Sequence, residues 1–188
     1  MALNRPKFVV PALAVVLLSI GTARLFAAVT QSSTNVPLAI PDAGNVNSTL
    51  NFSVNGTITD ANLTFNISHS WNDDIAIRLS SPSVAAQLLL DSCGGSGDNF
   101  SNTTFDEDSG NAMTCGAGEF AAAPYTGSFV SPGAGTMDAF DGTSSGGVWT
   151  LNVADDSAIC SGTLNSWSLT LAGNTPLPVE LSRFKIGE

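Results

Sequence analysis

The chain has 188 residues, of which 43% are hydrophobic, 12% charged and 7% aromatic. That length suits one domain, two at most, with a core large enough to need no metal for folding; the low charge excludes a disordered chain, and the scarcity of Glu and Lys a coiled coil. Sixteen acids face six bases, and three of those bases (Arg5, Lys7, Arg24) lie in the first 28 residues, so the remainder carries 3 − 16 = −13: such a chain repels phosphate backbones, which excludes nucleic acid as a partner, and attracts cations.

Asn4, Arg5 and Lys7 make a short positive start, and Phe8 to Ile20 is an apolar run broken only by Pro11 and Ser19. Small residues follow: Gly21, Thr22, Ala23, then Ala27 and Ala28. This is the layout of a secretory signal peptide over residues 1–28, with cleavage after Ala23, Ala27 or Ala28. The run has 13 residues, short of the ~20 that span a bilayer. No second run of spanning length occurs, so the expected mature protein is secreted or held at the cell surface without a membrane span. Residues 29–35 read as a linker.

Beyond it, apolar and polar residues alternate. Leu50, Phe52 and Val54 share one face of a predicted strand; Leu63, Phe65 and Ile67 share another, with Asn62, Thr64 and Asn66 pointing away. Ile75, Ile77 and Leu79 continue the pattern, as do Trp149, Leu151 and Val153, and then Trp167, Leu169 and Leu171. A period of two marks half-buried strands. Asn55-Gly56, Asn72-Asp73-Asp74 and Ser81-Pro82 mark turns. The continuous run Val84–Leu90 fits a buried strand. Asp91 to Gly147 is rich in glycine, and short strands are expected in it around Phe120 and Phe140. The predicted fold class is all-β, a jelly-roll-like β-sandwich with long Gly/Asp-rich loops. Residues 174–188, with Pro176 and Pro178, read as a linker or tail.

Export permits disulfides. Of the three cysteines, Cys93 and Cys115 flank one loop and are the natural pair, which leaves Cys160 odd. No Cys or Cys/His spacing points to zinc. Twelve of the acids are aspartate, gathered at turns: Asp73/Asp74, Asp106/Glu107/Asp108, Asp138/Asp141 and Asp155/Asp156. Short carboxylates on loops, with Asn side chains and carbonyls beside them, suit Ca2+, although aspartate also favours turns for its own sake. The single histidine, His69, ends the Leu63–Ile67 strand. Ser, His and Asp are all present, but without a GxSxG elbow nothing organises them into a triad, and a core or turn role fits His69 better. Seven Asn-x-Ser/Thr sequons occur, at Asn47, Asn51, Asn55, Asn62, Asn66, Asn99 and Asn102; glycosylation is open.

The segment Asp60-Ala-Asn-Leu-Thr-Phe-Asn-Ile-Ser-His69-Ser-Trp71-Asn-Asp-Asp74-Ile75 resembles the signature of the P domain (P/Homo B domain) that follows the catalytic domain in proprotein convertases and bacterial subtilisin-like proteases. Cys93, then Thr104-Phe105-Asp106-Glu107-Asp108, then Cys115 resembles a further stretch of bacterial members. Phe140-Asp141-Gly142, Gly147-Val-Trp149-Thr-Leu-Asn-Val-Ala-Asp155 and Gly162-Thr-Leu164-Asn-Ser-Trp167-Ser-Leu169 resemble the closing ones. The motifs stand in family order over residues 36–173.

The resemblance implies a calcium-binding β-sandwich that stabilises a subtilisin-like serine endopeptidase and is itself no enzyme. It implies Asp74, Asp106, Asp108, Asp155 and Asp60 as calcium ligands, and His69, Trp71, Trp149 and Trp167 as structural signature residues, with no catalytic residue. The family often carries a further Asp where this chain has Cys160. Leu177-Pro-Val-Glu-Leu-Ser-Arg-Phe184 resembles a segment near the C-termini of exported bacterial proteins. Only a signal peptide precedes the domain, so the chain is expected to be a free-standing, secreted P domain whose partner is a protease or a surface component. The alternatives are a split or truncated component of a subtilisin-like protease system, and a cell-surface adhesion module.

Overall fold

The computed structural model describes residues 24–53, 55–113, 115 and 123–175. Ten strands alternate between two sheets: β1 (Arg24–Ser32), β2 (Leu38–Ile40), β3 (Asn45–Phe52), β4 (Thr57–Ser68), β5 (Ile75–Ser80), β6 (Gln87–Asp91), β7 (Phe100–Phe105), β8 (Tyr125–Phe129), β9 (Gly147–Asp155) and β10 (Gly162–Thr175). The first sheet has the order β1-β10-β4-β7-β8, with β2 also paired to β10; the second has the order β3-β9-β5-β6. All pairs are antiparallel except β7–β8. The chain crosses between the sheets at β2–β3, β3–β4, β4–β5, β6–β7, β8–β9 and β9–β10, which makes the sandwich expected from the sequence.

The alternation explains the core. Leu63, Phe65 and Ile67 of β4 are buried, and opposite them on β10 so are Leu164, Trp167, Leu169 and Leu171. The second sheet contributes Leu50 and Phe52, Ile75, Ile77 and Leu79, and Trp149, Leu151 and Val153. Each such side chain contributes about 1.5–3 kcal/mol through burial. The outward residues of the first sheet pair across strands instead: Thr64 with Thr104 at 2.8 Å, Asn66 with Ser166 at 2.9 Å and Thr30 with Thr170 at 2.7 Å. A polar chain that starts in the core joins the two sheets. The Trp167 indole N–H donates to Ser48 Oγ at 2.7 Å, and Ser48 donates to Asn35 Oδ1.

Several expectations are refined. The strand expected over Val84–Leu90 begins only at Gln87, because Ser81 Oγ accepts from Val84 N at 3.0 Å and Ser81 N donates to Val84 O at 3.1 Å, closing a turn. Phe140 lies not in a strand but in a 3-10 turn, Met137–Phe140, where Thr136 Oγ1 accepts from Asp138 N at 3.2 Å and the Phe140 ring packs on Trp149 with centroids 4.9 Å apart. The strands of the glycine-rich middle are β7 and β8; Phe120 and Val54 lie outside the described residues, as do residues 1–23 and 176–188. Residues 29–32, expected as linker, form the end of β1 and pair with Ser168–Leu171 of β10.

The Cys93–Cys115 disulfide forms, with Cα atoms 4.6 Å apart, and closes a separation of 22 residues, a constraint worth on the order of 3 kcal/mol in the chain-entropy account. The exposed side of β6 is covered by a loop whose Gly133 and Gly135 N–H groups donate to Leu89 O (2.9 Å) and Leu88 O (2.8 Å). A Cβ on Gly133 would collide with the Leu88 carbonyl, so glycine is what lets this loop shield a sheet edge.

Trp167→Ala is expected to lower the unfolding free energy by about 3–5 kcal/mol in denaturant titrations. Trp167→Phe, which keeps most of the apolar area and loses the N–H, should cost less. Equal losses for the two would mean that the Ser48 hydrogen bond, not burial, dominates at this position.

Candidate functional site

The aspartates collect at two places, separated by the length of β4. Asp60 sits near the start of that strand and His69 just past its end, about 30 Å apart at the strand rise.

At the His69 end the chain leaves β4 and turns through Trp71 into a 3-10 turn, Asn72–Asp74, before β5. Asn99 Oδ1 accepts from His69 N at 3.0 Å, and His69 O accepts from Asn99 N at 3.0 Å, which pins the strand end. The His69 ring is buried. Its Nδ1 lies 2.7 Å from the Trp71 carbonyl oxygen and its Nε2 lies 3.1 Å from Asp155 Oδ2. Asp155, at the end of β9, is 1% exposed, and its other oxygen accepts from Ser157 N at 3.1 Å. Glycine is required at 162, where a Cβ would sit 2.6 Å from His69 Cδ2. Asp74 stands beside this pair. Burial pushes its carboxyl above the ordinary range; the Asp155 and Asp73 charges add to the rise, and His69 and a Ser157 hydrogen bond oppose it.

A triad histidine needs a nucleophile on one nitrogen and a carboxylate on the other. Here a backbone carbonyl and a carboxylate face the two nitrogens of a buried ring, an arrangement that fastens β4 to β9. Trp71, by contrast, is 44% exposed. Trp149 is buried, its N–H donating to Ser145 O at 3.0 Å, and Trp167 is buried as described.

At the other end, Asp60 meets two loop segments. Asp106 caps the 3-10 turn Glu107–Ser109, its Oδ1 accepting from Asp108 N at 3.0 Å. Glu107 Oε1 accepts from Met137 N at 3.0 Å, joining this turn to Met137–Phe140, which Asp141 follows. Burial raises the Asp60 carboxyl above its ordinary value, and Asp106 and Asp108 add to the rise. Burial also raises Asp141, with Asp138, Asp60 and Asp108 contributing. Asn62 Nδ2 donates to Asp60 Oδ2 at 3.0 Å, while the Asn62 Oδ1 is buried without a partner. Among the described residues the one ion pair is His69–Asp155, so this end has no counter-ion.

The structure thus divides the five aspartates named from the sequence. Asp60, Asp106 and Asp108 come together; Asp74 and Asp155 form a separate group with His69. Asp141 and Asp138 join the first group and were not assigned from the sequence, although Phe140-Asp141-Gly142 stood out there. Among the described residues no three His, Cys, Asp or Glu side chains are already drawn together as a metal cage.

The sequence model of a family described as proprotein convertase P-domain matches residues 58–171. No curated protein matches the chain. Among solved structures, the fold resembles a serine protease of Aeromonas sobria, with TM-score 0.50 and 18% identity over 80% of this chain. The same protease (ASP) in complex with the chaperone ORF2 gives TM-score 0.51 and 18% identity over 81% of this chain. The likeness covers 27% and 28% of those longer chains.

Asp60, Asp74 and Asp141 hold protons more readily in the fold than the ordinary value of 3.8. A carboxyl raised in this way makes the folded state lose stability as pH climbs from that value through the raised one, and the cost persists to neutral pH. Metal-free protein should therefore lose unfolding temperature as the pH climbs from 3.8 through the raised values of these three carboxyls. Asp141→Asn should raise the neutral-pH unfolding temperature and flatten the profile; an unchanged profile would show that the crowding carries no cost.

Proposed function

Because the chain belongs to the proprotein convertase P-domain family, we propose that it is an exported, non-catalytic accessory domain that binds calcium and docks on a subtilisin-like serine endopeptidase. The observation that carries this reading is the family match over residues 58–171, a span that runs from β4 into β10, includes strands of both sheets and holds both aspartate groups. The protease resemblance supports the partner class: in the Aeromonas sobria enzyme the matching region is about a quarter of a longer protease chain.

The Asp60 end suits calcium. Its donors are oxygens alone, its carboxylates repel one another, and a buried Asn62 oxygen there lacks a partner. Asp60, Asp106, Asp108 and Asp141 would hold the ion. Bound calcium would neutralise their charge and tie β4 to the two 3-10 turns. At the His69 end Asp155 already uses both oxygens, on His69 and Ser157. The adhesion alternative is disfavoured by the aromatics. A glycan platform needs a row of exposed rings, whereas Trp149, Trp167 and Tyr125 are buried and Trp71 is the one exposed tryptophan among the described residues.

Calcium at a hundred times its Kd should raise the unfolding temperature by roughly 5–10 °C. The rise should shrink in Asp108→Asn and be smaller at acidic than at neutral pH. For the accessory role, the full chain alone should leave a fluorescent casein substrate intact. Mixed with the subtilisin-like catalytic domains of its own genome, it should form a stoichiometric complex with one and slow its thermal inactivation. Proteolysis by the chain alone, or no complex with any such domain, would overturn the reading.

A further inference from the structure

Beside Asp74 lies a cavity of about 380 Å3, lined by Trp71, Asp74, Ser157, Ala158, Ile159 and Cys160. Its walls are unusual for this molecule. Among the described residues only Trp71, Val148 and Ile159 are large hydrophobics left exposed, and two of the three line this one cavity. Ile159 is 93% exposed. Its backbone is held at φ 95°, a conformation that disfavours a branched side chain, by a hydrogen bond from its N–H to Asp42 Oδ1 at 3.0 Å. The loop thus holds an apolar side chain in water.

The charge around the cavity has one sign. Asp74 lines it. Asp73 adjoins Asp74 in the same turn, and the exposed Asp156 donates its N–H to Asp74 O at 2.8 Å. The neighbouring basic side chain, His69, is buried and turned to Asp155. An apolar slot with a carboxylate and no counter-ion matches one kind of side chain: a long aliphatic stem ending in a cation. The stem would lie along Trp71 and Ile159. A guanidinium can stack on the indole face and reach a carboxylate through its fork.

We propose that this cavity is a docking pocket for an arginine side chain presented by the protein partner. The inference rests on the protein-partner reading above and names the group by which that partner is gripped. It does not depend on calcium at the Asp60 end.

The test is calorimetric titration of the full chain, in chelator so that no metal occupies Asp74, with the blocked peptide acetyl-Gly-Leu-Arg-Leu-Gly-amide. Its isosteric citrulline analogue, neutral at the same shape, is the comparison. Saturable one-to-one binding is expected, weakened roughly tenfold or more by citrulline and by Asp74→Asn, the loss of one charged contact. Ile159→Ser, at a side chain already in water and on a backbone that disfavours a branched residue, should also weaken binding without lowering the unfolding temperature, so the result does not hinge on whether Asp74→Asn folds. Cys160, the only free cysteine among the described residues, gives a second readout: bound peptide should slow its alkylation. Equal affinity for the citrulline peptide, no binding at millimolar peptide, or a sedimenting dimer that the peptide does not dissociate would overturn the proposal. A protease complex that forms normally with Asp74→Asn and Ile159→Ser would sink the pocket and leave the accessory role standing; peptide binding without any protease complex would do the reverse.

Discussion

Strand β10 runs antiparallel to β4 from Asn174 opposite Thr57 to Thr163 opposite Ser68, and a slip of one residue in that pairing would turn Leu63, Phe65 and Ile67 out of the core. The register is specified by what it buries. Trp167 meets Phe65 and Leu169 meets Leu63 on the inner face, while Ser168 meets Thr64 and Thr170 meets Asn62 on the outer face. The same pairing decides where the charged residues go. Asp60 is set near one end of β4 and His69 just past the other, so the two aspartate groups stand at opposite ends of the strand.

The two ends meet the same electrostatic difficulty in different ways. At the His69 end the carboxylate of Asp155 is fully buried, and burial of a charge is tolerated only with a partner. The imidazole and the Ser157 N–H provide it. The contact also joins the end of β4 to the end of β9, so it links the two sheets. At the Asp60 end, carboxylates from one strand and two turns converge with no cation among them, and burial and mutual repulsion raise Asp60 and Asp141 together. One end is satisfied from within the chain. The other has no basic partner among the described residues.

The loops that carry these groups are held by short-range constraints. The Cys93–Cys115 bridge, the Thr136 and Asp106 caps and the Glu107 contact to Met137 N fix the turns against the sheets. The strained Ile159 and the exposed Trp71 are exceptions in a protein whose other two tryptophans are buried. Both lie beside Asp74, where apolar surface and negative charge share a cavity.

Much of this was legible in the chain itself. Strand positions follow from period-two alternation, because side chains on successive strand residues point to opposite faces whatever the partner strand is. The disulfide was legible because its cysteines flank one loop, and the family because its motifs stand in order. The 3-10 turn at Phe140 and the late start of β6 were not. There, single side-chain caps and a ring packed on Trp149 decide the backbone, and alternation carries no trace of them. The aspartates could be named in advance but not grouped. Their division into a set around His69 and a set around Asp60, and the arrival of Asp141 in the second, depend on which loops the crossing strands bring to the same end. That is a matter of contacts between residues far apart in sequence, which only the packed structure creates.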